Sequence, residues 1–428
     1  MYGIVDSDKP AMNTFFHSSV LLAAFAVAAT TARAALVPVS PVDGDVVALV
    51  PDAQKKVMDL PALADRIALF REDRQTGGKV VRHDPFWRKA KPVTLSWRAT
   101  DGETGPWKIE IGRDPDLLDA GVWYVKNVDP ALGRETDKDI DGVGGELVSY
   151  PVPRANLEVA RIYHGRVTGL GKPGEGKKKG PVVRSEIAAF ATEDRAPRWI
   201  AIEGRTGNIR DFGGWRTTDG RRVRQGLAFR GQGLNDNSVT GETQGRNRLT
   251  VEDVKYFTRT LGIRTDLDLR AKGETVDMTE SPLGPGVRFI EHSSPAYRDA
   301  FRSSSSKATM AENVRVFCDP ANYPIYFHCI GGADRTGTLA YVLLGVLGVS
   351  QHDIETDWES TFYPNIPDDA HESEPDYWCR ESHLTDGIGS YGEPDDTWQR
   401  RCELYLLDCG ITAGEIARLR TILLEPAE

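Results

Sequence analysis

The sequence predicts a mixed α/β fold, with a largely parallel central sheet flanked by helices, preceded by a small all-β sandwich. Two patterns in the 428 residues indicate this order. Short runs of alternating apolar and polar residues, separated by Gly, Asp and Pro turns, fill 83–195 and are typical of antiparallel strands. Across 197–428, strand-like and helix-like runs alternate, which favours parallel strands joined by helices. The length also indicates two domains rather than one.

The composition argues against two kinds of binding by the chain as a whole. With 40% hydrophobic and 27% charged residues, it is ordinary for a globular protein. The formal net charge of −10 argues against nonspecific binding to nucleic acid or to an anionic membrane. An anionic substrate would therefore need a local pocket whose positive charge comes from arginines.

Residues 1–35 have the pattern of a signal peptide. An apolar run, VLLAAFAVAA, spans 20–29, and small residues ending at Ala34 provide an A-x-A cleavage pattern. The run is too short to cross a bilayer, and no later run is apolar enough to do so. We therefore predict export to the periplasm or beyond the cell, with a buried or interfacial helix as the alternative. Residues 36–82 are predicted to be an N-terminal linker segment with one helix near 60–72.

The predicted sandwich has its own strand pattern. Five runs are predicted to be its strands: 93–97, 107–111, 122–125, 163–167 and 186–191. Leu157, followed by Tyr163 and then Arg166 and Val167, resembles the tyrosine-corner strand of fibronectin type III domains. This resemblance implies a fibronectin type III-like domain over 83–195, which could bind a protein or a glycan.

The second half contains the predicted helices and buried strands. Thr250 to Asp253 forms a helix-start signature, with apolar residues following at helical spacing. The runs 263–269 and 323–328 are predicted to be strands, and 336–349 and 412–424 are predicted to be helices. Residues 362–400 show no period and are predicted to be a long loop, functional or pinned by a disulfide.

The run PIYFHCIGGADRTG at 324–337 carries most of the chemistry. A buried strand ends at Cys329, a glycine-bearing loop follows, and a helix begins, so loop amides and the helix N-terminus form an anion site. Gly331 and Gly332 allow the backbone N–H groups to turn inward. The planar guanidinium of Arg335 can bind two phosphate oxygens. The predicted phosphate-binding residues of the loop are Ile330, Gly331, Gly332, Ala333 and Arg335.

The same positive field makes Cys329 the predicted nucleophile. Thiols at helix N-termini have pKa values lowered from about 8.5 to roughly 3.5–7.5, so a thiolate should exist at neutral pH. It can attack phosphorus and form a phosphocysteine, and Arg335 with the loop amides would stabilise the equatorial oxygens. Thr336 can hydrogen-bond the sulfur when it leaves. No metal or cofactor is implied by these residues.

Cys329, five residues, Arg335 and Thr336, bracketed by His328 and Gly337, resemble the signature of the protein tyrosine phosphatase superfamily. Three upstream segments resemble motifs of one bacterial branch: NIRDFGG at 208–214, FRGQGL at 229–234, and DLDLR at 266–270 followed by Glu274. The resemblance covers 207–424. It implies a catalytic domain over 197–428 and makes Arg230, on the second of these segments, a candidate substrate-binding residue.

The proton donor is left open between two aspartates. Asp334 lies inside the loop directly before Arg335, as in related lipid phosphatases, and Asp268 ends a strand expected beside that of Cys329. Either carboxyl could protonate the leaving oxygen and then activate water. The alternatives are that Asp268 pairs with Arg270 or Arg230 and that Asp334 caps the helix terminus. His328 is expected to orient the loop.

The leading hypothesis is an exported phosphomonoester hydrolase of the protein tyrosine or dual-specificity class, acting on phosphorylated proteins or small phosphomonoesters. An inositol phosphate or phosphoinositide phosphatase is the alternative, although the bacterial branch usually has lysine where this loop has Ala333. A catalytically silent binding module is the alternative from another class. The intact Cys329, Arg335 and Thr336 argue against it.

Four cysteines remain besides Cys329. Cys402 and Cys409 lie in a helical stretch, where seven residues span roughly 10 Å, so they should not bridge each other. We predict a Cys379–Cys402 bridge, or failing that Cys379–Cys409, that anchors the long loop. Cys318 is predicted to be a buried thiol.

Overall fold

The computed structural model describes residues 36–427 except 82, 85–89, 100–104, 126–145, 172–181, 205, 235–248, 272–273, 276–277 and 362–380. The predicted signal peptide, 1–35, therefore lies outside the described residues. Within the described ranges, no helix combines the length and apolarity needed to span a membrane.

In its described residues, the N-terminal half is a two-sheet β structure with two helices. Its elements are β1 (Leu36–Ser40), β2 (Val46–Val47), α1 (Asp52–Met58), α2 (Leu63–Gln75), β3 (Val93–Ala99), β4 (Trp107–Gly112), β5 (Gly121–Val125), β6 (Glu146–Val152), β7 (Ile162–Gly169), β8 (Val183–Arg184) and β9 (Ala188–Thr192). One sheet has the order β1-β3-β6, and the other has the order β2-β9-β7-β4-β5 with β8 beside β7. Trp97 and Trp107 meet edge to face in the core, with ring centroids 5.4 Å apart.

The five predicted strands are confirmed as β3, β4, β5, β7 and β9. Strands β1 and β6, which were not predicted, are the two edges of the three-stranded sheet, and they contain Pro38 and Pro151 respectively. Proline is tolerated at a sheet edge but weakens a strand pattern in the sequence. The hydroxyl of Tyr163 accepts a hydrogen bond from the Glu158 backbone N–H at 3.0 Å, the contact that defines a tyrosine corner.

The segment 36–82, predicted to be a linker, is part of the folded structure. It supplies β1 and β2, one to each sheet, and its helices α1 and α2 pack against the rest of the molecule. Val50, Val57 and Met58 form a small core with Trp199, whose indole N–H donates to Gln54 at 2.8 Å. Local sequence does not reveal this role, because the partners of the segment, such as Ala99 opposite Leu36 and Trp199 beside Gln54, lie far away along the chain.

The C-terminal half alternates strands and helices. Its elements are β10 (Arg210–Asp211), β11 (Ala228–Gly231), α3 (Val251–Lys255) continuing as a π-helical turn (Tyr256–Thr260), β12 (Thr265–Asp268), β13 (Arg288–Glu291), α4 (Asp299–Arg302), α5 (Ser304–Phe317), a 3₁₀ turn (Pro320–Asn322), β14 (Ile325–His328), α6 (Asp334–Leu347), α7 (Gln351–Ser360), α8 (Glu381–Gly389), α9 (Trp398–Asp408) and α10 (Ala413–Leu423).

The sheet of this half has the order β10-β11-β14-β12-β13. Strand β14 pairs in parallel with β11 and β12, β12 pairs in parallel with β13, and only β10 pairs antiparallel. This confirms the largely parallel sheet flanked by helices. Helix α6 is apolar on all sides, and all its residues from Thr336 to Leu347 are buried. The carboxyl ends of β11, β12 and β14 meet at one edge of the sheet, where α6 begins.

The prediction of one continuous loop over 362–400 is wrong in its second part. Helix α8 occupies Glu381–Gly389, where Leu384 and Ile388 are both fully buried four residues apart. Two glycines in this short helix, Gly387 and Gly389, hide its period, since glycine is a poor helix former. Residues 362–380 lie outside the described residues.

The structure confirms only part of what was predicted for the cysteines. Cys318 is a buried thiol, as predicted, and Cys402 and Cys409 do not bridge each other. Both of these are free thiols, which contradicts the predicted bridge from Cys379, itself outside the described part of the chain. The sulfur of Cys402 packs into the core against Gly345 of α6, where a Cβ would lie 2.3 Å from it. This sulfur therefore fills a space in the core.

Candidate active site

Cys329 lies between the end of β14 and the start of α6, and it is 2% exposed. The preceding residue, His328, is in register with Gly231 of β11 on one side and Asp268 of β12 on the other. The residues that follow, 329–335, are called the catalytic loop below. The strand ends thus place the cysteine at the sheet edge where α/β folds form their sites.

The surroundings of Cys329 favour the thiolate. Burial raises the pKa of its thiol, but the hydroxyl and N–H of Thr336, the charge of Arg335 and the N–H of Gly332 together lower that pKa below its ordinary value. The positive end of α6 acts in the same direction. The sequence predicted the loop amides and the helix N-terminus for this role, and Thr336 for a hydrogen bond to the sulfur when it leaves.

The two glycine positions of the catalytic loop differ in whether they could accept a side chain. Gly332 has φ +69°, and a Cβ there would lie 2.3 Å from the Gly231 carbonyl oxygen, so no other residue fits. A Cβ on Gly331 would meet nothing within 4 Å. Ile330 and Ala333 are partly exposed beside them, and the Ile330 carbonyl accepts from the Gly233 N–H at 3.1 Å.

Arg335, the last residue of the catalytic loop, is held by a carboxylate. Its Nη2 donates to Glu274 Oε1 at 3.0 Å and its Nη1 donates to Oε2 of the same side chain. This hydrogen bonding raises the pKa of Arg335 and lowers that of Glu274. Both side chains are partly exposed, so the guanidinium lies at the open side of the loop. Glu274 was noticed in the sequence only as part of a motif.

The carboxyl group of Asp334 is also oriented by a neighbouring side chain. The hydroxyl of Tyr297 donates a hydrogen bond to Asp334 Oδ1. Tyr297 has a positive φ of 54°, an uncommon backbone conformation for a tyrosine, and its ring packs edge to face on Trp358 at 5.6 Å. Asp334 itself is partly exposed at the first turn of α6. No motif in the sequence singles out Tyr297.

Asp268, the other candidate acid, is fully buried and paired. Arg270 donates to it through Nε at 2.9 Å and through Nη2 at 2.6 Å. Burial raises the pKa of Asp268, but the charges of His328 and Arg270 lower it below its ordinary value. The structure thus places Asp268 in the ion pair that was its alternative interpretation.

His328 orients the catalytic loop, as expected. Its Nδ1 lies 3.2 Å from the Cys329 carbonyl oxygen and its Nε2 lies 2.9 Å from Asp266 Oδ1. Both partners are acceptors, so each contact is a hydrogen bond when the ring nitrogen concerned carries a proton. Burial lowers the pKa of His328, but Asp268 and Asp266 raise it above its ordinary value.

Arg230 lies behind the catalytic loop. Its Nη2 donates to the Gly332 carbonyl oxygen at 3.1 Å, and its Nη1 donates to Asp357 of α7. The side chain is fully buried, and burial, with Arg210 nearby, lowers the pKa of Arg230 to about 9. The predicted role in substrate binding is therefore replaced by a role in holding the loop backbone, since no face of this guanidinium reaches solvent.

Two further buried residues complete this support. Asn208 Nδ2 donates to the Gly331 carbonyl at 3.2 Å, and Arg210 Nε donates to Asp357 Oδ1 at 2.9 Å. Asp211 pairs with Arg198 at 2.8 Å, so Arg210 and Asp211 are structural, as interpreted from the sequence. Asp357 was missed because it lies in a polar helix with no motif.

Across the described ranges, no cluster of three His, Cys, Asp or Glu residues could hold a metal ion.

The comparisons agree with this geometry. Residues 201–377 match the model of the tyrosine phosphatase family. A curated protein of Cupriavidus necator, "Putative tyrosine-protein phosphatase", is 28% identical over 200 residues, which cover 39% of this chain and 67% of that relative. These matches support a cysteine-based phosphatase of the protein tyrosine phosphatase superfamily.

Two solved structures show weaker likenesses. The core catalytic domain of the PP-IP phosphatase SIW14 from S. cerevisiae, in complex with citrate, is 17% identical with a TM-score of 0.23, covering 32% of this chain and 84% of that one. PTPMT1 in complex with PI(5)P is 8% identical with a TM-score of 0.21, covering 43% of this chain and 93% of that one. Likenesses at this level do not bear on the substrate of this chain.

Proposed function

We propose that this chain is an exported protein tyrosine phosphatase that hydrolyses phosphomonoesters through a phosphocysteine on Cys329. One observation carries the proposal: three groups are arranged around the catalytic loop with separate partners. The thiol of Cys329 has a lowered pKa, Arg335 is oriented by Glu274, and Asp334 is oriented by Tyr297. These are a nucleophile, an oxyanion clamp and a proton donor.

In the first step, the Cys329 thiolate attacks phosphorus opposite the ester oxygen. The S–P bond forms as the P–O bond breaks, and protonated Asp334 gives its proton to the leaving oxygen. Arg335 binds two equatorial oxygens with its planar fork, and the loop N–H groups bind the charge that remains.

In the second step, water attacks the phosphocysteine. Asp334, now ionised, takes a proton from the water, the P–S bond breaks, and its electron pair returns to Cys329. The Thr336 hydroxyl, which follows the loop directly, can donate a hydrogen bond to the departing thiolate. Inorganic phosphate leaves and the enzyme returns to its starting state.

Asp334 rather than Asp268 is the donor in this proposal. Both oxygens of Asp268 accept hydrogen bonds from Arg270, its carboxylate is fully buried, and its pKa is lowered. A group held ionised in this way is a poor proton donor. Asp334 is partly exposed and adjoins Arg335, where the leaving group of a bound monoester would lie.

Three features support a tyrosine substrate. The matching family model and the name of the Cupriavidus necator relative both refer to tyrosine phosphatases. The loop also has Ala333 where a lysine would add the cation that polyphosphorylated substrates favour. Export is supported by the apolar run and cleavage pattern in 1–35.

A substrate panel tests the function. The purified full chain should hydrolyse p-nitrophenyl phosphate and a phosphotyrosine peptide well above a phosphoserine peptide and inositol hexakisphosphate. Cys329→Ser should lose turnover completely and still bind vanadate, because the loop amides and Arg335 remain. Cys409→Ser, which removes a buried thiol away from the loop, is the matched control and should keep full activity. Turnover by Cys329→Ser would refute the mechanism, and preference for inositol phosphates would replace the proposed substrate.

A further inference from the structure

Helix α7 supports the catalytic loop from behind at two carbonyl groups. Its Asp357 holds Arg230, which donates to the Gly332 carbonyl at 3.1 Å. Thr361, directly after the helix, lies 3.4 Å from Asn208 Nδ2, and the same nitrogen donates to the Gly331 carbonyl at 3.2 Å. A displacement of α7 would therefore move both glycines of the loop.

The same helix also supports the proposed proton donor. Trp358 packs on the ring of Tyr297, and the Tyr297 hydroxyl donates to Asp334. Trp358 also fits tightly against α6, since a Cβ on Gly337 would lie 2.3 Å from its ring. Side chains in such close packing transmit a shift instead of absorbing it. The position of α7 thus affects both the nucleophile loop and the acid.

Helix α7 is in turn held by the N-terminal segment. Arg66 of α2 donates to Glu359 Oε1 through Nε at 2.9 Å and through Nη2 at 2.7 Å. Its Nη1 donates to the Leu60 carbonyl at 2.8 Å, which ties the guanidinium to its own segment. Arg66 is 0% exposed and Glu359 is 1% exposed. Removing one member of a buried ion pair leaves the other charge buried and unpaired, which is strongly destabilising. Arg66 and Glu359 must therefore both be present for either charge to stay buried.

We propose that the N-terminal segment 36–75 is a built-in positioning element of the active site, with Arg66 as its positioning residue. By pairing with Glu359, Arg66 holds α7 in position. From that position Asp357 places the loop carbonyl through Arg230, and Trp358 places Asp334 through Tyr297. The inference rests on the proposed phosphatase function of the loop. It assigns to a segment outside the catalytic fold a role in the geometry of the reaction.

The test compares Arg66→Met with the unchanged full chain. Mispositioning of reacting groups by distant changes costs up to about 100-fold, so kcat on p-nitrophenyl phosphate should fall about 10- to 100-fold. The N–H groups aimed at Cys329 should also move, so the pKa of its thiol, measured by the pH dependence of iodoacetamide labelling, should rise. A purely structural role would lower thermal stability without moving that pKa in the folded protein.

Arg161→Met is the matched control. Arg161 also joins the two halves, through an ion pair with Glu425 in the C-terminal tail, but this pair does not contact α7. Its kcat should stay within about twofold of the unchanged protein, as for a peripheral ion pair. An equal loss of kcat in both variants would overturn the inference, because general loosening of the halves would then be sufficient.

Arg66→Lys keeps the test decisive if Arg66→Met does not fold. Lysine retains the charge but cannot reproduce the two-pronged contact, so a smaller fall in kcat and a smaller rise in the Cys329 pKa are expected. Unchanged kcat and labelling in a folded Arg66 variant would overturn the inference. Failure of the unchanged protein to hydrolyse any monoester would instead refute the proposed function, and the labelling measurement would still test the positioning.

Discussion

Two arginines lie at the catalytic loop, one within it and one behind it, and they differ in almost every physical respect. Arg335 lies at the open side, with its side chain 19% exposed and paired to Glu274 at 32%. Arg230 lies behind the loop, with its side chain 0% exposed and paired to Asp357 at 3%. Pairing raises the pKa of the first, whereas burial lowers the pKa of the second to about 9.

The difference indicates which arginine can bind substrate. A phosphate can reach Arg335 and use its donors, and Glu274 keeps the guanidinium oriented before substrate arrives. Arg230 is fully buried, and its two Nη groups donate to the Gly332 carbonyl and to Asp357. In the proposed mechanism, one arginine therefore takes part in the chemistry, and the other maintains the shape of the loop.

The largest expected effect is that of Arg335→Lys. Lysine keeps the charge but loses the planar fork, so kcat should fall about 10³-fold, as when a transition-state donor is removed. The free energy of unfolding should change by about 1 kcal/mol or less, because the pair with Glu274 is partly exposed. Steady-state kinetics and urea unfolding measure the two quantities. A large loss of stability with little loss of kcat would reverse the roles of the two arginines.

The next effect concerns the acid at the open side. Asp334→Asn should lower kcat about 100-fold for a phosphotyrosine peptide, because a poor leaving oxygen needs its proton in the transition state. The loss should be much smaller for a substrate with a very good leaving group, such as a dinitrophenyl phosphate. Asp268→Asn is the comparison variant. If it alone shows the dependence on leaving group, Asp268 is the acid.

Removing the buried arginine should act on stability. Arg230→Met leaves a carbonyl and part of Asp357 without a donor, so the free energy of unfolding should fall by about 3–5 kcal/mol. The folded fraction should retain more activity than Arg335→Lys does, since no substrate contact is lost. Thermal melting with kinetics on the folded fraction checks both. An unchanged melting temperature would show that the loop does not need this support.

The smallest effect separates the thiol of the loop from the thiols of the core. The pKa of Cys329 is lowered, whereas burial raises the pKa of Cys318 and of Cys409 to about 11. At pH 7, iodoacetamide should therefore label Cys329 while these two remain unlabelled, and labelling of Cys329 should slow as the pH falls and the thiolate is protonated. Peptide mapping after labelling measures this. Equal labelling of Cys318 would contradict it.

The elements that could be predicted are those with a local signal. Alternation identified β3, β4, β5, β7 and β9, and the capping box at Thr250 identified the start of α3. Edge strands with proline and the glycine-containing helix α8 were missed, because their stability comes from neighbours in space and their local propensity is poor. The predicted Cys379 anchor failed for a related reason: the sequence does not show that the sulfur of Cys402 faces the core.

For the site, the sequence by itself determined the parts that are contiguous. Strand, Cys329, glycine loop, Arg335 and helix follow one another within a dozen residues, so their chemistry is set by local backbone geometry. The tertiary structure decided the rest: Arg230 holds the loop, Asp268 pairs with Arg270, Tyr297 orients Asp334, and Arg66 pairs with Glu359, 293 positions away. These outcomes depend on which charged groups burial forces together, and a buried charge selects its partner by position in space and not by spacing along the chain.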